Sequence, residues 1–281
     1  GFNGLRVLAL ESRRATEVST LIEKYGGRPM TAPALRELPL ESNAAALDFG
    51  AGLVLGEFDI VIFLTGVGAR VLFDVLTRAH PGDEIHAALC RTKVAVRGSK
   101  PASVLRELNV PVWAFAPEPN TWRELLTAME ARTFEQPIGG ARIAVQEYGV
   151  PNQELLEALS ARGASVLQVP VYRWALPDDL QPLRRAVAAI AGGGVDVLLL
   201  TSGVQLSHLW QVVEMMGCEA KVRYGLASTL IASIGPTTTE EIVRRRLTPD
   251  LEASHPKLGF LIREAADYAS AHAKRAAART I

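Results

Sequence analysis

Two cysteines in 281 residues, Cys90 and Cys218, are too few and too far apart for a disulfide framework or a cysteine metal centre. They read as reduced thiols of a cytoplasmic protein. The five histidines are scattered, with none of the spacing of a zinc hydrolase. Long apolar runs are missing: the best, Ala51 to Leu64, is broken by Glu57 and Asp59 and cannot span a bilayer. The N-terminus has neither the basic region and apolar stretch of a signal peptide nor a Met, so a trimmed or processed chain is expected. Net charge is missing too. Lys+Arg and Asp+Glu are both 30, which argues against a generic nucleic-acid binder. An anionic ligand stays open, because local charge can concentrate in a cleft.

Nucleotide motifs are absent. Gly66-Val-Gly68 lacks the third glycine of a dinucleotide fingerprint, and no GxxxxGK[ST] occurs. Arg97-Gly-Ser-Lys100 is short and basic but is not a Walker loop. Gly192-Gly-Gly194 precedes an apolar run instead of following one, which suits a helix-to-strand connection better than a phosphate loop. No Ser-His-Asp order and no paired-acid motif stands out.

What remains is a chain that is 48% hydrophobic and 21% charged, long enough for one large domain or two small ones. Short apolar runs alternate with amphipathic helical patterns, which predicts an α/β fold with mainly parallel sheets. Strands are expected at Leu5–Leu10, Asp59–Leu64, Lys93–Arg97, Ala141–Val145, Val195–Leu200 and within Leu226–Ile234. Helices are expected at Ala15–Tyr25, from Thr65–Gly68 through Leu76, to Leu108, at Asn152–Arg162, Leu206–Met216 and Glu240–Arg246. Ala265–Ile281 is Ala/Lys/Arg-rich and reads as a final helix with a frayed tail, or the stub of a fusion junction. Arg244-Arg-Arg246, late in its helix, reads as a solvated face suited to the helix dipole.

The pattern repeats. Asp59, Gly66 and Gly98 recur 137 positions later as Asp196, Gly203 and Gly235, while Arg6 and Gly27 recur 136 positions later as Arg142 and Gly163. An internal duplication of an αβ unit of about 130 residues, and hence two similar lobes, is the expectation. Two proline-marked extended segments, Ala32–Leu35 and Val169–Tyr172, lie at related places and are either hinges or ordinary loops.

Four strand-to-helix turns carry the chemical interest: Leu64–Gly68, Arg97–Lys100, Thr201–Val204 and Gly235–Thr239. Each puts small or hydroxyl residues where a helix begins. Such turns receive anions through free backbone N–H groups and the helix dipole, at the strand ends where open α/β sheets bind ligands. Helix capping by Thr65, Ser99, Ser202 and Thr237 or Thr238 is the alternative. Arg13, Arg14, Arg70, Arg97, Lys100 and Arg173 lie near the turns and supply either a local positive field or ordinary surface charge. Tyr172 stands beside Arg173 and Trp174, as a proton or hydrogen-bond donor or as packing.

The segments Asp59-Ile-Val-Ile-Phe-Leu-Thr-Gly-Val, Val-Pro-Val-Tyr172-Arg, Asp196-Val-Leu-Leu-Leu-Thr-Ser-Gly-Val and Ile234-Gly-Pro-Thr-Thr followed by Thr248-Pro-Asp resemble the uroporphyrinogen-III synthase family, from about Leu5 to Ala265. The resemblance implies two α/β lobes joined by a two-stranded connector: 1–34 plus 173–281, and 37–169, with hinge segments at about 33–36 and 169–173. It implies a lyase that cyclises linear hydroxymethylbilane, with inversion of ring D, to uroporphyrinogen III in tetrapyrrole (heme) biosynthesis. The substrate's eight carboxylates would account for several anion-receiving turns around a cleft. No metal or organic cofactor is implied. A cytoplasmic monomer, with no nucleic-acid or membrane partner for this chain, is expected. By likeness Tyr172 matches the tyrosine thought to assist hydroxyl departure. Thr201, Ser202, Gly203, Gly235, Thr237 and Thr238 match the ligand-facing turns, with Thr65, Gly66 and Gly98 as counterparts. Arg13, Arg97 and Ser99 complete the expected substrate-binding set. The chain departs from the family at Leu64-Thr65-Gly66 (usually Thr-Ser), Ser12-Arg13-Arg14 (Thr-Arg-Pro), Val96-Arg97-Gly98 (Val-Gly) and Thr239 (Ala). These departures keep open a tetrapyrrole-binding regulatory relative with weak or no synthase activity. A periplasmic-type solute-binding protein shares the two-lobe plan, but the missing signal peptide counts against it.

Overall fold

A computed structural model describes residues 1–40, 42–147, 149 and 151–278. In chain order the elements are β1 (Arg6–Ala9), α1 (Ala15–Lys24), β2 (Arg28–Thr31), β3 (Arg36–Pro39), α2 (Ala44–Val54), β4 (Ile60–Phe63), α3 (Gly66–Ala79), α4 (Gly82–Arg91), β5 (Lys93–Val96) and α5 (Ser99–Glu107). There follow β6 (Ala114–Phe115), α6 (Trp122–Glu130), β7 (Arg142–Gln146), α7 (Gln153–Ala161), β8 (Ser165–Val169), β9 (Tyr172–Ala175) and α8 (Gln181–Ala191). The last elements are β10 (Val197–Leu200), α9 (Gly203–Met215), α10 (Glu219–Leu226), β11 (Leu230–Ser233), α11 (Pro236–Arg244), β12 (Leu251–Glu252) and α12 (Leu258–Ala278).

The chain divides into two compact units, Gly1–Arg36 with Ala175–Ile281, and Glu37–Trp174. The first holds a parallel five-stranded sheet in the order β12-β11-β10-β1-β2, and the second one in the order β6-β5-β4-β7-β8. The orders correspond strand for strand, β1 to β7 and β10 to β4. In the first unit the chain enters at β1; in the second it enters at β4 and reaches the corresponding strand, β7, near its end. β3 and β9 form a separate two-stranded sheet.

Each large sheet is covered on both faces, so its central strands are mainly apolar; β4 and β10 are buried at every position. Alternate residues feed opposite cores. In the first unit Leu8, Leu198 and Leu200 pack with α8, α9 and α10, while Val7, Val197 and Leu199 pack with α1 and α12. In the second, Val61, Phe63 and Ala144 face α2, α3, α4 and α5, and Ile60, Ile62, Val145 and Leu64 face α6 and α7.

The repeat seen in the sequence is a lock at the start of the central strand pair. Asp196 donates its N–H to the Arg6 carbonyl at 3.0 Å, and its carboxylate accepts the Arg6 N–H at 2.7 Å. Asp59 does the same with Arg142, at 2.9 and 2.8 Å. The Arg6 guanidinium also grips Asp196, at 2.9 and 2.8 Å. That side-chain hydrogen bond holds the Asp196 carboxyl below its usual range and raises Arg6.

Several helix limits differ from the sequence expectations. Ala51–Leu64 is split between the end of α2, a loop and β4. α9 and α11 start three and four residues earlier than Leu206 and Glu240, because Gly203 and Pro236 open them; proline suits a first turn, whose N–H lacks a partner anyway. α12 begins at Leu258, with Leu261, Ile262, Ala265, Ala266 and Ala269 buried against the sheet. The expected tail residues 279–281 lie outside the described residues. Gly192-Gly-Gly194 connects α8 to β10.

Replacing Asp196 by Asn should destabilise the first unit at pH 7 by about 1 kcal/mol, after discounting for partial exposure. Because folding lowers this carboxyl's pKa, its contribution is full above the ordinary value near 4 and is lost as pH falls through the lowered one. The gap between wild type and Asp196→Asn in denaturant melts should therefore close below pH 4.

Candidate functional site

Parallel strands end together, so the four expected turns gather at the carboxyl edge of their own sheet. In the first unit Ser12 and Arg13 follow β1, Thr201, Ser202 and Gly203 follow β10, and Gly235, Thr237 and Thr238 follow β11. In the second, Thr65 and Gly66 follow β4, Arg97, Gly98 and Ser99 follow β5, and Tyr172 opens β9. The crevice between β1 and β10, and its counterpart between β7 and β4, is where the connections reverse direction, the usual ligand position of such sheets.

Neighbouring helix starts are pressed together by glycine. A Cβ on Gly66 would come 2.9 Å from the Lys100 carbonyl oxygen. On Gly203 it would meet the Glu241 Cβ at 3.0 Å and the Thr237 carbonyl oxygen at 3.7 Å. The absence of a side chain lets α3 lie on α5, and α9 on α11, at their N-terminal ends. Each edge thus presents two adjacent helix N-termini.

The hydroxyls are largely spent inside the fold. Thr65 caps α3, accepting from the Gly68 N–H at 3.0 Å, and Ser202 caps α9, accepting from Val204 at 3.2 Å. Ser99, Thr237 and Thr238 do not cap: the capping positions belong to Gly98 and Gly235, with no side-chain hydrogen bond. Gly98 has φ 99°, a left-handed backbone that excludes most side chains from that position. Ser99 and Thr237 are exposed, whereas Thr238 is buried. Thr201 donates to the Glu11 carboxylate at 2.6 Å and accepts from the Gln205 amide at 2.8 Å. What remains for an anion is mainly backbone N–H at the helix starts.

Tyr172 is 5% exposed. Its hydroxyl lies 3.4 Å from the Thr65 Oγ1, and its ring meets Trp174 edge-on at 5.4 Å between centroids. Beside it, within the second unit, is a cavity of about 430 Å³ lined by Leu38, Val71, Val75, Arg78 and Val171 among others. Of the basic residues, Arg14 pairs with Glu17 and Arg70 with Glu107. Arg13 and Lys100 are exposed. Arg245 pairs with Glu241 and stacks on Trp210, so the Arg244-Arg-Arg246 stretch is not wholly a solvated face.

Two acids escaped the sequence reading. Glu11 and Glu147 stand 136 positions apart, just past the ends of the corresponding strands β1 and β7, at the offset of Arg6 and Arg142. Glu147 is 5% exposed, and its Oε1 has no hydrogen-bond partner among the described residues. Burial pushes its carboxyl above the usual range. Among the described residues no cluster of His, Cys, Asp and Glu could hold a metal ion, and no helix is long and apolar enough to cross a membrane.

Folding raises the Glu147 pKa, so its favourable share of stability is full below the ordinary value near 4.3 and is lost as pH rises through the raised one. Glu147→Gln should match wild type in melts at pH 4 and exceed it by about 1–2 kcal/mol at pH 8. An equal gap at both values would show that Glu147 does not titrate as a buried acid.

The family model for uroporphyrinogen-III synthase matches residues 16–263. The uncharacterised protein YjjA of Bacillus subtilis (strain 168) is 29% identical over 273 residues, covering 95% of this chain and 97% of its own. A crystal structure of a mutant uroporphyrinogen III synthase from the extremely thermophilic bacterium Thermus thermophilus aligns with TM-score 0.72 at 25% identity, over 94% of this chain and 98% of that one. The wild-type Thermus enzyme in another crystal form aligns with TM-score 0.57 at 26% identity, over 96% and 100%.

Proposed function

The chain belongs to the uroporphyrinogen-III synthase family, and from that premise we propose that it is a synthase: it closes linear hydroxymethylbilane to uroporphyrinogen III with inversion of ring D and loss of one water. The observation that carries this reading is the Tyr172 hydroxyl held 3.4 Å from Thr65 at the carboxyl edge of a sheet whose helix starts are paired to receive carboxylates. Each unit's own edge offers backbone N–H groups to acidic side chains of the substrate, at Gly203 and Thr237 with Arg13 in the first and at Gly66 and Ser99 with Arg97 in the second.

In this account Tyr172 gives its proton to the departing hydroxyl as the C–O bond breaks, and the bonding pair leaves as water. The exocyclic carbon is then attacked by ring D at its substituted position. The spiro intermediate fragments and recloses, and the proton released from the ring carbon at closure restores the tyrosine. General acid help of this kind is worth about 10²–10⁴ in rate. The larger task is conformational: unassisted closure gives the symmetric isomer, so the protein must hold ring D for attack at the other carbon.

Chromatography of the isomers after supplying hydroxymethylbilane, without metal or nucleotide, should show type III. Well-folded protein that leaves only the spontaneous type I product is not a synthase, and binding without conversion would then mark a regulatory relative. Tyr172→Phe keeps the ring and should slow turnover about tenfold or more, with stability changed by no more than about 1 kcal/mol. Parental turnover by Tyr172→Phe would deny the phenol a chemical role.

A further inference from the structure

A surface built to receive a polyanion has no electrostatic reason to keep an oriented carboxylate, yet the first unit keeps one at its switch point. Glu11 is half-buried just after β1. Its Oε2 accepts from the Thr201 hydroxyl at 2.6 Å and faces the Gln205 Nε2 at 3.4 Å. Gln205 is itself fixed: its Oε1 accepts the Thr201 N–H at 2.9 Å, and its Nε2 donates to the Thr201 hydroxyl at 2.8 Å. The other oxygen, Oε1, takes no hydrogen bond among the described residues and is not closed off from solvent. Arg14 lies near enough to feel the charge, but its guanidinium hydrogen bonds go to Glu17. The group is therefore oriented in advance, with one lone-pair face open, as a ligand-binding carboxylate should be.

The duplicated unit supplies the contrast. Glu147 occupies the corresponding place, but Leu64 stands where Thr201 does and Gly68 where Gln205 does. The space above Gly68 is filled by Gln146, whose side-chain amide a Cβ there would strike. Both partners of Glu11 are thus lost, and Glu147 is buried with an unpaired oxygen. Glu147 lacks the partners that orient Glu11 and is buried, so of the two only Glu11 is held in place with an oxygen open to solvent.

An open carboxylate among anion receptors fits a ligand that carries hydrogen-bond donors as well as carboxylates, and pyrrole N–H groups are such donors. We propose that Glu11 is a catalytic residue that accepts a pyrrole N–H of the substrate and faces the positive charge that spreads onto that nitrogen when the terminal hydroxyl departs. Glu11 forms no bond and takes no proton in this step: the C–O pair leaves with the hydroxyl, and the ring nitrogen's lone pair fills the vacancy at carbon. The assignment rests on the synthase reading for its chemistry, while the recognition of N–H donors stands separately.

Two measurements on wild type and Glu11→Gln test it. The first is turnover of hydroxymethylbilane: Glu11→Gln should lose about tenfold to a hundredfold in kcat, with KM no higher, because an anion has been removed from a polyanion site. The second is calorimetric binding of a dipyrromethane tetracarboxylate and of its N,N′-dimethyl counterpart. Wild type should prefer the N–H compound by about tenfold, and Glu11→Gln should show no preference. Thr201→Val, which unties Oε2 but leaves the charge, should keep part of the preference. If wild type forms no type III isomer, the synthase reading falls while loss of the preference in Glu11→Gln still supports N–H recognition. A wild type without the preference, or a Glu11→Gln that retains it, overturns the assignment whatever the turnover.

Discussion

One aspartate per unit fixes the register on which the rest depends. Asp196 and Asp59 each exchange two hydrogen bonds with the backbone of an arginine at the start of the neighbouring strand. A slip of one residue there would turn every side chain of the strand to the other face. With the register set at Val7↔Val197 and Ile60↔Ile143, β4 and β10 run buried for four residues beside their partners. Glu11 then arrives beside Thr201, and Thr65 beside Gln146, because the strands have no freedom to deliver anything else. The chemistry at the carboxyl edge is a consequence of pairing at the amino edge.

The two units share a scaffold and differ at their switch points. Both press two helix N-termini together over a glycine, which gives each edge the same anion-receiving backbone. Their side chains diverge. The first unit spends Thr201 and Gln205 on orienting a carboxylate. The second turns its threonine toward Tyr172 and buries an acid one of whose oxygens has no hydrogen-bond partner among the described residues. The unpaired oxygen costs stability, in keeping with the tendency of polar strain to collect near functional surfaces.

Much of this was legible in the sequence, for physical reasons that also mark where legibility stopped. Buried parallel strands are short unbroken apolar runs, and Asp59–Leu64 and Val195–Leu200 announce themselves as such. The turns after them were found because a helix must begin with unpaired N–H groups, which glycine and hydroxyl residues accommodate. α2 was missed: it is apolar on most sides, so its sequence has little helical period and merges into the run that ends in β4. β6 and β12, of two residues each, are too short to leave a pattern. The capping alternative does not hold at Ser99 and Thr237, because Gly98 and Gly235 occupy those positions without a side-chain hydrogen bond. Glu11 and Glu147 carried a usable signal, the offset that links Arg6 to Arg142. Their difference did not, since it depends on which neighbours reach each carboxylate in three dimensions.

In each unit the carboxyl edge, through the backbone N–H groups of its paired helix starts, is the surface proposed to receive ligand carboxylates. Amide chemical-shift mapping with the dipyrromethane tetracarboxylate tests it directly. The largest, saturable shifts are expected at the amides of Gly66, Ser99, Gly203 and Thr237. Shifts centred on the opposite edge, around Asp59, Asp196 and Lys93, or none at saturating ligand, would contradict it.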